Sequence, residues 1–429
     1  MAKTTKYSIR KESIYQIYPR VYSQAGDLNS VTRDLDRIKD MGFTIIYLLP
    51  IHEPGLLNRK GSMGCPYSIK DYYKIDPKLG TLDDFKNLIK KTHELGMKVM
   101  MDVVINHTAC DATYTINHPE YYYLDDKGNP SRKVAKWTDI LDLNYGNKEL
   151  REELLKMLEY WAKFGVDAYR CDVAPLVDLD FWTNAQKRLK AINENFILLA
   201  ESAEEEFIYH LREENIAALT DNDLYNAFDL CYCYDIKNYL NDAFDKEYDL
   251  TKLAEVINYQ QIMLSKNAFK TWFVENHDID RLMAQVNDKD RAINFTAFTL
   301  LIKGVGFVYA GQEAYCTKRP SLFEKDDIDW SNRDSSFEKL IGKINHLKKQ
   351  IFSDNEYVNL KMLPFKDILA FSQNDKKNKY LGLFDVKGLK SIVKIDIEDG
   401  TYFNQIDETY IDIKNGLIKV DRPILIQIY

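Results

Sequence analysis

No run in this 429-residue sequence approaches the roughly 20 apolar residues that a membrane span needs. The first residues, MAKTTKYSIRKESIYQIY, hold no apolar core of a signal peptide. Lys and Arg nowhere gather into a stripe, and the net charge is −8, so a nucleic-acid backbone is repelled on average. Cysteine is sparse. The six residues, Cys65, Cys110, Cys171, Cys231, Cys233 and Cys316, lie scattered and lack zinc-site spacing. They read as reduced, mostly buried thiols of a cytoplasmic protein. Low-complexity segments and a disordered tail are missing too. What remains is a chain of globular composition, 45% hydrophobic and 29% charged, too long for one ordinary core. Nothing in it fixes an oligomeric state.

What is present is a rhythm. Short apolar runs recur at 13–18, 44–50, 98–104, 166–171, 196–200, 226–232, 270–275 and 305–310, with helix-like segments between them. Val31, Leu35, Ile38 and Met41 fall at helical spacing. Thr81 with Asp84 three residues on predicts an N-cap. The run from Asn147 to Phe164 predicts a long helix stopped by Gly165. Eight strands alternating with helices predict an α/β fold, a (β/α)8 TIM barrel. One connection breaks the rhythm: 108–145 shows no helix and reads as a small inserted domain after the third strand. The barrel would then comprise 1–107 and 146–350. Past 350 the pattern alternates apolar and polar, predicting a C-terminal all-β domain, a β-sandwich, over 351–429.

The charges fall at strand ends. In VDAYRCDVAPLV (166–177), Arg170 and Asp172 are two residues apart, so on a strand through Val173 both face one way. That pair is either a solvated ion pair or a catalytic carboxylate held ionised. Other ends carry Asp102, Asn106 and His107, then Glu201, then Asn276, His277 and Asp278. Barrel chemistry sits at the C-terminal rim of the strands. Acids and histidines converging there are costly unless used or paired. They suit glycoside cleavage, which needs one ionised carboxylate and one protonated carboxyl. Arg170 should lower the pKa of Asp172, and the apolar FILLA before Glu201 should raise that of the glutamate.

The motifs DVVINH (102–107), YRCDV (169–173), LAESAEEE (199–206) and FVENHD (273–278), in this order, resemble the α-amylase superfamily, glycoside hydrolase family 13. GFTIIYLLPI (42–51), PYSIKDYYKIDPKLGTLDDF (66–85) and GVGFVYAGQEA (304–314) extend the resemblance over nearly the whole chain. It implies a retaining hydrolase of α-glucosidic bonds, foremost α-1,4, in maltooligosaccharides or α-glucans. Asp172 resembles the nucleophile, Glu201 the general acid and base, and Asp278 the third acid, which binds the distorted sugar. Tyr67, His107, Arg170 and His277 resemble its substrate-binding residues, with Asp102 supporting Arg170 and Arg281 steadying Asp278. The chemistry implied requires no cofactor. A structural calcium is an open candidate, with Asn106 and Asp142 similar to its ligands, although no third acidic ligand is evident. The family's Lys-His pair after the nucleophile is replaced by Pro175 and Leu176. A transglycosylase or sugar isomerase would share every catalytic residue. A non-catalytic amylase-like subunit would be expected to lose one carboxylate, and all three are here. A phosphate-binding barrel would want a basic Gly-rich loop, for which Gly304, Gly306 and Gly311 offer only Lys303.

Overall fold

The apolar runs form eight parallel strands, here β1 (Ser13–Ile17), β2 (Ile45–Leu48), β3 (Lys98–Val103), β4 (Ala168–Cys171), β5 (Ile197–Ala200), β6 (Leu230–Tyr232), β7 (Phe269–Trp272) and β8 (Val305–Tyr309). They close in chain order into a barrel, β8 pairing with β1. Nearly every strand residue is buried, as expected of parallel strands covered on both faces. The computed structural model describes residues 5–134, 136–352 and 354–428. Residues 1–4 and 429, the outer ends of the expected domains, lie outside that set.

The longer helices are α1 (Leu28–Asp40), α2 (Leu82–Glu94), α3 (Lys148–Phe164), α4 (Leu179–Ile192), α5 (Glu205–Glu213), α6 (Leu250–Met263), α7 (Lys289–Leu301) and α8 (Ser335–Gln350). Their ends follow local chemistry. Thr81 caps α2 in a reciprocal box with Asp84. Asn147 caps α3 by accepting from the N–H groups of Glu149 and Leu150. Gly165 ends α3 at φ 119°, a conformation that a side chain would resist. Among the described residues no helix is long and apolar enough to cross a membrane.

Between β3 and α3 runs a long connection, the segment read above as an insert. Its frame is a short antiparallel ladder, His107–Ala109 against Ile140–Asp142. A five-residue helix, Thr113–Asn117, stands where the sequence predicts none. Tyr121 and Tyr122 are buried in its packing, and only Tyr123 of that triplet is exposed.

After α8 the chain is all-β. Asn359–Met362, Leu369–Asn374, Lys379–Phe384 and Ile424–Gln427 form a four-stranded antiparallel sheet. Two ladders, Ile392–Lys394 with Leu417–Lys419 and Gly400–Asn404 with Thr409–Ile413, complete the region. Leu381, Leu383, Val393, Ile418 and Ile426 share its core. Phe371 and Phe384 of the sheet meet Phe298 of α7, at 6.3 and 5.6 Å between ring centroids, which docks this region on the barrel wall.

Candidate active site

Strand register assembles the rim. Asp102 on β3 lies level with Arg170 on β4, and Cys171 lies level with Ala200 on β5. Asp172 and Glu201, each one residue further on, therefore leave the barrel side by side. Strand β4 ends at Cys171, earlier than the sequence reading through Val173, so alternation does not by itself place Asp172. The turn does. Val173 takes φ 41°, an unusual conformation for a β-branched residue. Its N–H donates to Glu201 Oε2 at 2.8 Å. A strained backbone residue thus fixes the neighbouring glutamate.

Arg170 is fully buried and serves three carboxylates. Nη1 donates to Asp102 Oδ1 at 2.9 Å and to Asp172 Oδ1 at 2.8 Å. Nη2 lies 2.8 Å from Glu201 Oε1 without the alignment of a hydrogen bond. The expectation that Arg170 lowers the pKa of Asp172 needs correcting, since the shift runs upward. Burial and the neighbouring Glu201 push the Asp172 carboxyl up, and Arg170, shared three ways, only partly opposes them. Burial also pushes the Glu201 carboxyl up, against the pull of Arg170. The two acids therefore titrate as a pair, with a pH range in which they hold one proton between them. Asp102 is held from its other side by the hydroxyls of Tyr47 (2.6 Å) and Tyr67 (2.9 Å).

Asp278 is handled differently. Burial is the largest single influence and works against its charge, but His277, with Nε2 3.0 Å from Oδ2, together with Arg170 and Arg319 outweighs it. Its pKa is held down to about 2. Tyr67 stacks on His277 with ring centroids 5.3 Å apart, and its hydroxyl sits 2.7 Å from His277 Nε2. Gln16 on β1 is 2.9 Å from the other ring nitrogen of His277 and orients the imidazole. Burial pushes the pKa of His107 down, and its ring packs against Trp137 of the insert.

Tyr67, His107, Asp172, Glu201, His277 and Asp278 line one cavity of about 240 Å³. Arg170 lies beneath it. Lys60, Cys65, Trp137, Asp139 and Phe323 share its wall. The sequence reading assigned none of these five to the site, since none stands at a strand end. The Lys60–Asp139 ion pair, at 2.7 Å, joins the loop after β2 to the insert. Arg281 is not on Asp278: its guanidinium binds Glu275 at 2.6 Å and the Ala310 carbonyl. Arg319 donates to the Asp278 backbone carbonyl instead. His52 and His93 are structural, bonded to the Lys74 carbonyl and to Asp167. Lys303 precedes β8, at the end of the barrel opposite this rim.

Asn106 and Asp142, the two candidate calcium ligands, come together and bond to each other. Asn106 Nδ2 donates to Asp142 Oδ1 at 2.9 Å, and the Lys133 N–H donates to Asp142 Oδ2 at 2.5 Å. Both carboxylate oxygens are thus taken, and Asn106 Oδ1 is the buried acceptor left over. Calcium needs six to eight oxygens. Among the described residues no cluster of three His, Cys, Asp or Glu side chains is placed to hold a metal.

Comparison with known proteins agrees with this architecture. The model of the alpha-amylase catalytic domain matches residues 16–356, and that of the bacterial alpha-amylase C-terminal domain matches 359–426. The chain is similar to a solved alpha-amylase from Lactobacillus plantarum, at 37% identity and a TM-score of 0.93, covering 99% of this chain and all of that one. It also matches a noncanonic maltogenic alpha-amylase of Thermotoga neapolitana, at 29% identity and a TM-score of 0.85, over 98% and 99% of the two chains. Alpha-amylase 3 of Dictyoglomus thermophilum is 24% identical over 354 residues, 74% of this chain and 67% of that protein. On these matches, over a closed barrel with three acids at its rim, the chain belongs to the α-amylase family, glycoside hydrolase family 13.

Proposed function

We propose that the protein is a retaining glycoside hydrolase that cleaves α-glucosidic bonds, foremost α-1,4, in maltooligosaccharides or related α-glucans. The observation that carries this is one guanidinium within 2.8 Å of both Asp172 and Glu201, at the floor of a cavity. Such sharing fits the separation of roughly 5 Å found in retaining pairs better than the wider gap of inverting ones.

Asp172, with the aligned hydrogen bond to Arg170, holds the charge and attacks the anomeric carbon. The bond to the leaving oxygen breaks as Glu201, kept protonated by burial, gives it a proton. A covalent glycosyl-enzyme results. Glu201 then takes a proton from water, the water oxygen bonds to the anomeric carbon, and Asp172 leaves with its charge restored. Asp278 stays ionised and binds hydroxyls of the distorted ring. His107 and His277 add hydrogen bonds, and Tyr67 gives the sugar a stacking face. Every proton is carried by a side chain, so no cofactor enters these steps. All six cysteines are free, which supports the cytoplasmic location that the sequence suggests.

Proton NMR of maltoheptaose hydrolysis tests the reading. New reducing ends should appear first as α-anomers. Initial β-anomers would contradict retention. Longer products without net new reducing ends would indicate a transferase, and no change would leave a non-catalytic subunit.

A further inference from the structure

We propose that a groove on the outer wall of the barrel, rimmed by Tyr209, Tyr239 and Tyr259, is a second binding site for α-glucan chains, distinct from the catalytic cavity. The proposal rests on the reading of the chain as an α-glucan hydrolase. The groove measures about 600 Å³, against about 240 Å³ for the catalytic cavity. That is the size of a small-molecule site, yet nothing in the proposed chemistry uses it.

Its composition points to sugar. Tyr209 and Tyr259 are each 62% exposed and Tyr239 41%, which is unusual for rings of this size. A glucose ring offers an apolar C–H face to such rings and hydroxyls around its edge. The groove supplies partners for those hydroxyls in Asp221, Asp235 and Gln260. These groups are held from below. The fully buried Lys270 donates to Asp221 and, at 2.9 Å, to Asp235 Oδ1, while Gln260 Nε2 donates to Asp235 Oδ2 at 2.8 Å. The carboxylates are therefore fixed and partly neutralised by one shared lysine, which suits neutral hydroxyls better than a cation. Carboxylates in the groove's lining also argue against a protein partner, since interface cores are depleted of Asp and Glu.

The groove's position suits a long chain. Ala203, on its wall, follows Glu201 by two residues. Between cavity and groove runs a polar link: Asn276 donates to the Tyr234 hydroxyl at 2.9 Å, Lys237 lies 4.9 Å from the Tyr234 ring, and Lys237 pairs with Glu204 at 2.5 Å. The groove thus begins beside the catalytic rim and runs along the outer wall toward Met263 and Leu264, ahead of β7.

The test is native gel electrophoresis in soluble starch, with acarbose present to occupy the active site. Wild type should be retarded. The Tyr209→Ala/Tyr259→Ala double variant should lose that retardation, with starch affinity down about 10-fold. Its turnover of a short chromogenic maltotrioside should stay unchanged. Equal retardation of variant and wild type would overturn the proposal. So would a concentration-dependent dimer, seen by light scattering and lost in the variant, since the occupant would then be a second copy. Should the double variant unfold, Tyr259→Ala alone gives the same reading. Failure of wild type to cleave the maltotrioside would instead overturn the hydrolase reading, leaving starch retardation as a separate result.

Discussion

At the C-terminal rim of the barrel one guanidinium, Arg170, meets three carboxylates; at the opposite end three cations, Arg10, Lys303 and Lys348, surround a cavity of about 10 Å³, room for roughly one water molecule. Both ends bury charge. At the rim each carboxylate has a different set of partners, and the cavity above is open to a substrate. At the base, Lys303 reaches Gln261 at 3.0 Å, but the Lys348 ammonium has no hydrogen-bond partner among the described residues. Burial, helped by Arg10, pushes the pKa of Lys348 down to about 7 and that of Lys303 to about 8. The same physics that sets acid and base roles at the rim only costs stability at the base. Buried charge becomes chemistry where neighbours differentiate it and a ligand can enter.

The largest effect that would break this contrast is at Asp172. Asp172→Asn should cut turnover by about 10⁴-fold or more while leaving the circular dichroism spectrum unchanged. Glu201→Gln should also cut turnover of maltooligosaccharides, by roughly 10²–10⁴-fold. Folding raises the Glu201 carboxyl, so the folded state resists its ionisation and loses stability as pH rises above the ordinary carboxyl range. The glutamine variant should therefore melt slightly higher than wild type at neutral pH, a gain that scanning calorimetry would detect. A lower melting temperature would mean that the glutamate is structural.

The pH profile sharpens the rim side. The plot of kcat/KM should be bell-shaped, losing activity on the acid side as the pair takes a second proton and on the alkaline side as it loses the last. Asp278, held to about 2, should contribute to neither limb over the working range. A single limb, or an alkaline limb that survives in Glu201→Gln, would disagree.

At the base, Lys348→Met should stabilise. Folding depresses this lysine from 10.5 to about 7, so the unfolded chain binds more protons between those values, and stability rises with pH across that window. The methionine variant should gain about 2 °C or more in Tm at pH 7, with the gain fading toward pH 10. Activity should not change. The smallest expected effect belongs to the insert: EDTA should move neither Tm nor turnover, because both Asp142 oxygens already accept from N–H groups of Asn106 and Lys133. Loss of stability restored by added calcium would show that the pair opens to a cation.

The barrel was legible because its strands are short apolar runs and its helices carry their own caps, as at Thr81 and Asn147. The acids were legible because they stand one residue past a strand end, as Asp172 and Glu201 do. What stayed hidden depends on three-dimensional sharing. No spacing shows that Arg170 serves Asp102, Asp172 and Glu201 together, or that Arg281 turns to Glu275 and leaves Asp278 to Arg319. Trp137, Asp139 and Lys60 reach the cavity through the fold of loops, which have no period to read. Val173 could be found only from its backbone angle, since a β-branched residue gives no signal for a left-handed turn.

The central claim is that Asp172 forms a covalent bond to the sugar. Incubation with 5-fluoro-α-glucosyl fluoride, followed by peptic digestion and mass spectrometry, tests it most directly. The account predicts one added fluoroglucosyl group, on the peptide that contains Asp172. A label on Glu201 or Asp278, or none while maltooligosaccharides are still cleaved, would contradict it.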